Sequence, residues 1–181
     1  LAALRQALPT VRFEGIAGKA MQAAGAESWY PLEALTVWGH WAALRRYRPI
    51  IGIRQALLKR WLANPPDLFI GIDAPGFNLD LEVALRAAGI PVIHYVSPSI
   101  WAWRGERIHK IARAVDHLLA LFPFEPALYQ AAHIPVTYVG HPLADTIDLE
   151  CDRSAARAQL GLPDGPLVAL MPGSRGGEVG R

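Results

Sequence analysis

Apolar residues in this chain follow two rhythms, short continuous runs and longer stretches spaced three or four apart, and the two alternate. Residues 68–73 (LFIGID), 92–96 (VIHYV), 117–121 (HLLAL) and 136–139 (VTYV) read as short buried strands bounded by turn residues. Between them lie helical patterns over about 79–88, closed by Gly89, over about 105–114, and near 126–131. Strands alternating with helices at this spacing predict an α/β fold with a parallel, doubly wound sheet. Upstream, residues 1–8 read as the end of a helix closed by Pro9, 11–18 as a strand entering a glycine loop, and 19–24 as a short helix. Residues 35–62 are helical in pattern but contain Pro49, so two helices with a break are expected. A Pro-Gly loop is expected between Asp73 and the helix at 79. After Asp145 the chain turns polar, a helix over 155–160 ends at Gly161, and LVALM (167–171) predicts one more strand.

Composition narrows the class. The 181 residues are 52% apolar and 19% charged, enough for a large core and too apolar for disorder. The single Cys151 excludes an internal disulfide framework and fits a reducing compartment. A net charge of +2 gives no ground for a nucleic-acid partner. No apolar run approaches the length of a membrane-spanning helix, and a cytoplasmic protein is expected. No HExxH, CxxC or compact His and carboxylate cluster occurs, so no metal is expected. The chain opens at Leu1 inside a helical pattern and stops at Arg181 where a loop should become a helix, and it reads as a fragment. The expected organisation is an N-terminal Rossmann-like domain over 1–147, incomplete at its start, a linker over 148–166, and the truncated start of a second domain over 167–181.

Candidate chemistry falls where strands hand over to helices, the edge at which parallel α/β folds bind ligands. Asp73 ends one strand there, and two readings are open. It is either a partly desolvated general base or a cap for its own turn. PGSR (172–175) follows the last predicted strand and precedes a helix start, so the amides of Gly173 and Ser174 with the charge of Arg175 could hold an anion; a solvated turn is the plain alternative. SPSIWAWR (97–104) places Ser97, Trp101 and Arg104 for contact with a sugar or an acyl chain, with Trp103 left open as core. His141 follows a strand and is expected to face an interdomain cleft, in a role left open. Between Glu33 and Asp67 no acidic residue occurs, while Arg45, Arg46, Arg48 and Arg54 fall among Trp38, Trp41, Leu44, Ile50, Ile51 and Ile53. This is the composition of a segment drawn to an anionic membrane surface, and equally of an amphipathic helix with its arginines in water.

Five blocks, GIDAPGFN (71–78), VIHYVSPSIWAWR (92–104), FPFE (122–125), GHPLAD (140–145) and PGSRGGEV (172–179), occur in this order and closely resemble the lipid-A-disaccharide synthases. These are bacterial glycosyltransferases that join two acylated glucosamines. The resemblance runs from about Val11 to Arg181 and implies a two-domain glycosyltransferase B architecture. It also implies transfer of 2,3-diacylglucosamine from UDP to the 6-hydroxyl of 2,3-diacylglucosamine 1-phosphate, with inversion, no metal or other cofactor, and no nucleic acid. Asp73 matches the family's candidate base and Arg175 a functionally important arginine in the donor loop with Gly173 and Ser174. Asn78, Ser97, Trp101, Arg104 and His141 are expected at the acceptor site or the cleft. The implied location is the cytoplasmic face of the bacterial inner membrane, and the residue pattern makes Trp38, Trp41, Leu44, Arg45, Arg46, Arg48, Ile50 and Ile51 the expected docking surface. One departure stands out: the family usually has DAPDFN where this chain has Gly76, so either the second acid is dispensable or the acceptor loop is altered. Residues 1–181 alone are expected to be inactive, since most of the donor site would lie beyond Arg181. Two other classes remain open, a UDP-sugar epimerase of the same architecture and a non-catalytic membrane-binding domain.

Overall fold

The computed structural model describes residues 1–35, 40–102 and 105–171, with the backbone alone for 40–47. The chain divides into two compact units, Leu1–Tyr138 and Val139–Arg181. The first unit runs α1 (Ala2–Ala7), β1 (Glu14–Gly15), α2 (Lys19–Ala23), β2 (Glu27–Ser28), α3 (His40–Ala63), β3 (Phe69–Ile72), α4 (Pro75–Ala87), β4 (Val92–Tyr95), α5 (Ile108–Ala114), β5 (His117–Ala120), α6 (Glu125–Gln130) and β6 (Val136–Tyr138). Four strands form a parallel sheet in the order β3-β4-β5-β6, with Phe69 opposite Val92, Ile93 opposite His117 and Leu118 opposite Val136. Each parallel pairing requires a crossover, and the helix between each two strands supplies it. This is the Rossmann-like α/β architecture. A separate parallel pair, β1 with β2, lies outside that sheet.

The core follows from the helical spacing. Ile53, Leu57 and Trp61 recur every fourth residue on α3, and Asn78, Leu81, Glu82 and Leu85 form one stripe on α4. These stripes close on Val92 and Leu118 of the sheet, and Ile111 and Ala114 of α5 complete the layer. Burying each Leu, Ile or Val side chain contributes about 1.5–3 kcal/mol. Trp61 packs between Trp29 and Phe69, with centroids 5.7 and 5.2 Å away. Charged staples hold the layers in register. Asp116 accepts from the Val92 N–H (2.8 Å) and from Arg86 Nε (2.8 Å), while Arg86 also donates to the Ala112 carbonyl. Burial raises the Asp116 pKa, but these donors outweigh it and hold the carboxyl below its ordinary range. Asp80 of α4 receives Arg54 from α3 and Lys110 from α5.

Four local expectations change. Residues 40–63 form one helix with Pro49 inside it. A mid-helix proline removes one hydrogen bond, whereas a break would require a second helix to nucleate. The helix after Asp73 begins at Pro75, because Pro at the first helical position lacks only a hydrogen that has no partner there. The strand expected over 11–18 is confined to Glu14–Gly15, where β2 offers it a partner. Residues 167–171 form no strand, and Val168, Leu170 and Met171 are more than four-fifths exposed. Among the described residues no neighbouring strand satisfies their backbone.

The second unit, taken by itself, holds a 3-10 turn, Pro142–Asp145, and α7 (Arg153–Gln159). Asp152 caps α7 by accepting from the Ser154 and Ala155 N–H groups at 2.9 and 3.1 Å. Arg157 reaches forward to the carbonyls of Pro163 and Gly165. Among the described residues no helix is long and apolar enough to cross a membrane.

Candidate active site

Two neighbouring strands, β3 and β4, end in turns that run against the usual backbone preferences. After β3, Asp73 and Ala74 both take the left-handed conformation, with φ of 48° and 45°. Neither is glycine, so each costs about 1–3 kcal/mol that the surroundings must offset. Asn78, one turn into α4, provides the brace: its Nδ2 donates to the carbonyls of Ile72 (3.2 Å) and Asp73 (2.8 Å). The Asp73 N–H continues the sheet by donating to the Tyr95 carbonyl at 2.9 Å. Asp73 is exposed, not partly desolvated as the sequence suggested, because it sits in the turn beyond the last strand residue, Ile72. Gly76 lies in the exposed first turn of α4, and a Cβ there would meet nothing within 4 Å. The acid usual at this position is therefore not excluded by space.

After β4, Val96 has φ of 75°, an outlier for a β-branched residue, and its N–H donates to the Leu119 carbonyl at 3.1 Å. The turn sends Ser97 inward. Its hydroxyl donates to Glu125, a carboxylate at the start of α6 with 1% exposure. Glu125 also accepts from the N–H groups of Leu121 (3.1 Å) and Phe122 (3.0 Å), which compensates for burying its oxygens. Tyr129, one turn further along α6, donates its hydroxyl to the Pro98 carbonyl at 2.9 Å. Burial, with the Glu125 charge beside it and against a hydrogen bond to Ser97, pushes the Tyr129 phenol up to about 12. The Ser97–Pro98 loop is thus pinned from beneath at two points.

Between the two turns lies a cleft of about 170 Å³, lined by Asp73, Pro75, Ser97, Ser99, Ile100 and Arg107 among others. It combines a carboxylate able to take a proton, hydroxyls and a guanidinium. Beside it the chain presents an aromatic ledge. Trp101, half-exposed, meets Phe124 edge-on at 5.3 Å, and Phe122 stacks on Phe124 at 5.7 Å. Under the sheet, His94 Nδ1 and Glu82 Oε1 make a fully buried contact of 2.6 Å, leaving Glu82 Oε2 and His94 Nε2 without a hydrogen-bond partner. Gly71 makes room for it, since a Cβ there would lie 1.9 Å from Glu82 Oε1. Among the described residues no three His, Cys, Asp or Glu side chains gather as metal ligands.

Of the residues singled out from sequence, Asp73 and Ser97 meet at the cleft, Asn78 braces the Asp73 turn, and Trp101 stands on the ledge outside. His141 belongs to the second unit, where its Nδ1 accepts from the Leu143 N–H at 3.2 Å. Arg104, Gly173, Ser174, Arg175 and Trp38 lie outside the described residues, as do Trp103 and the side chains of Trp41, Leu44, Arg45 and Arg46. Arg48 is exposed, and Ile50 and Ile51 are half-buried. Two residues placed with that docking surface are used internally: Ile53 packs on the core and Arg54 pairs with Asp80. Residue types and spacing missed the parts played by Glu125, Arg107 and the Phe122 and Phe124 ledge. The FPFE block held a visible signal for three of these, an acid and two aromatics beside a strand end.

A family model described as lipid-A-disaccharide synthetase matches residues 1–181. The chain is 59% identical over 180 residues to the lipid-A-disaccharide synthase of Dechloromonas aromatica, covering 99% of this chain and 47% of that protein. It is 60% identical over 178 residues to the synthase of that name from Aromatoleum aromaticum, covering 98% and 46%. With the one from Pseudomonas fluorescens Pf0-1 the identity is 56% over 179 residues, covering 99% and 48%. The chain spans about half the length of the curated relatives it matches. Paired turns at the carboxyl edge of a parallel sheet, in a sequence matched by the family model from end to end, place this chain in the lipid-A-disaccharide synthase family.

Proposed function

We propose that the complete protein joins two acylated glucosamines by inverting glycosyl transfer. The donor is UDP-2,3-diacylglucosamine and the acceptor 2,3-diacylglucosamine 1-phosphate. The observation that carries this reading is Asp73, an exposed acid lining the cleft on a turn whose backbone Asn78 braces. In the reaction Asp73 accepts the proton of the acceptor 6-hydroxyl. The oxygen attacks the donor's anomeric carbon from the face opposite UDP, the bond from that carbon to the diphosphate breaks, and UDP leaves with the electron pair. Arg175 with the amides of Gly173 and Ser174 stabilises the departing diphosphate, so that no metal is required. Residues 148–166 link the acceptor domain to the sugar-nucleotide domain that begins at 167, and His141 and Arg104 contribute to holding the acceptor.

Replacing Asp73 by Asn in the complete protein keeps the shape of the turn while removing the base. Turnover is expected to fall by about 10²–10⁴-fold. A near-normal kcat in Asp73→Asn would reduce Asp73 to a turn residue.

The enzyme works at the cytoplasmic face of the inner membrane, where its acylated substrates reside. It docks through Trp38, Trp41, Leu44, Arg45, Arg46, Arg48, Ile50 and Ile51. The exposed Arg48 and the absence of acids between Glu33 and Asp67 support this reading. Each basic residue at an anionic leaflet contributes about 1 kcal/mol, so replacing Arg45, Arg46 and Arg48 by Ser is expected to weaken cosedimentation with anionic vesicles by about two decades. Unchanged binding, or no preference for anionic over neutral vesicles, would reject the docking role.

A further inference from the structure

The cleft contains one ionisable group that the reaction above does not use. Arg107 ends the 3-10 turn Gly105–Arg107 and caps the start of α5, half-buried on the wall formed with Ser97, Pro98 and Ser99. Its backbone is fixed because Ile111 and Ala114, on the same short helix, are fully buried. Among the described residues lining the cleft, Asp73 and Arg107 are the charged ones. A carboxylate and a guanidinium sharing one small cleft match a substrate with two features, a hydroxyl to be deprotonated and an anionic group a short distance away.

We propose that Arg107 binds the phosphate monoester of the acceptor sugar, so that the cleft selects a glycosyl phosphate over the free sugar. The planar guanidinium matches phosphate oxygens through two parallel hydrogen bonds. Its positive charge also offsets the repulsion that a phosphate would otherwise meet from the Asp73 carboxylate. Asp73 then addresses the hydroxyl on C6 while Arg107 addresses the phosphate on C1, on the other side of the ring oxygen. This inference rests on the proposed glycosyl transfer.

The test uses the complete enzyme with UDP-2,3-diacylglucosamine as donor and two acceptors, 2,3-diacylglucosamine 1-phosphate and the same sugar without its phosphate. Arg107→Gln is expected to raise KM for the phosphorylated acceptor by about 10- to 100-fold, with the phosphate-free acceptor affected far less and the donor KM unchanged. Arg107→Lys, which keeps the charge but not the fork, falls between. A native-like circular dichroism spectrum for both variants ties the change to binding. Equal losses with both acceptors would overturn the assignment, and a raised donor KM would move Arg107 to the donor diphosphate and overturn it as well. Absence of transfer by the wild-type enzyme with either acceptor would instead overturn the glycosyl-transfer reading on which it rests.

Discussion

The turns after β3 and β4 begin alike and end differently. Each leaves its strand through non-glycine residues with positive φ, and each is held by side-chain hydrogen bonds from the helix that follows or packs beneath it. The Asp73 turn is braced by the neutral amide of the buried Asn78, which holds only backbone carbonyls, and Asp73 itself is exposed. The Ser97 turn is braced from inside by the buried Glu125 and Tyr129, which draw its hydroxyl inward. The difference separates two tasks. On the proposed reaction, the first is a group that must meet substrate to take a proton and the second a wall that must not move.

Breaking the inner brace should do the most damage. Glu125→Ala removes an acceptor shared by the Ser97 hydroxyl and the N–H groups of Leu121 and Phe122, and stability is expected to fall by about 3–5 kcal/mol, read as the urea midpoint of the complete protein. A loss below about 1 kcal/mol would show that solvent replaces the carboxylate freely. Asn78→Ala is the milder cut at the outer brace. It frees the carbonyls of Ile72 and Asp73, with an expected loss of about 1–3 kcal/mol, and turnover should fall beyond what the stability change explains, because the carboxylate is no longer aimed. Unchanged kcat in Asn78→Ala would mean the strained turn holds itself. Least of all should change in the urea midpoint of Asp73→Asn, expected within about 0.5 kcal/mol of wild type as for a surface substitution, even as its turnover collapses.

The sheet was legible because 92–96 and 117–121 are short, mostly apolar runs flanked by turn residues, and their length with those flanks favours strand over helix. The start of α4 was not. Pro75 and Gly76 have the letters of a loop, and only the paired left-handed residues before them let a helix begin at once. No residue type announces that conformation when Asp and Ala adopt it. Asp73 stood out as an acid at a strand end, whereas Arg107 lay within a polar stretch like many others, and only the fold brings it from the start of α5 to the wall beside β3 and β4. Glu125 was visible as a letter of FPFE, but burial is a property of what surrounds a residue. The run LVALM shows the converse: an apolar strand pattern forms no strand where, among the described residues, nothing pairs with it.

The strand order carries a consequence for how this unit is built. Because β3, β4, β5 and β6 pair strictly with their predecessors, each parallel partner lies only about 18–24 residues further along the chain. Loop closure over such spans is inexpensive compared with that of sheets whose central strands come from distant parts of a chain. The edge can therefore grow by one strand and one helix at a time, in the direction in which the ribosome releases it, with each new strand finding its neighbour already in place.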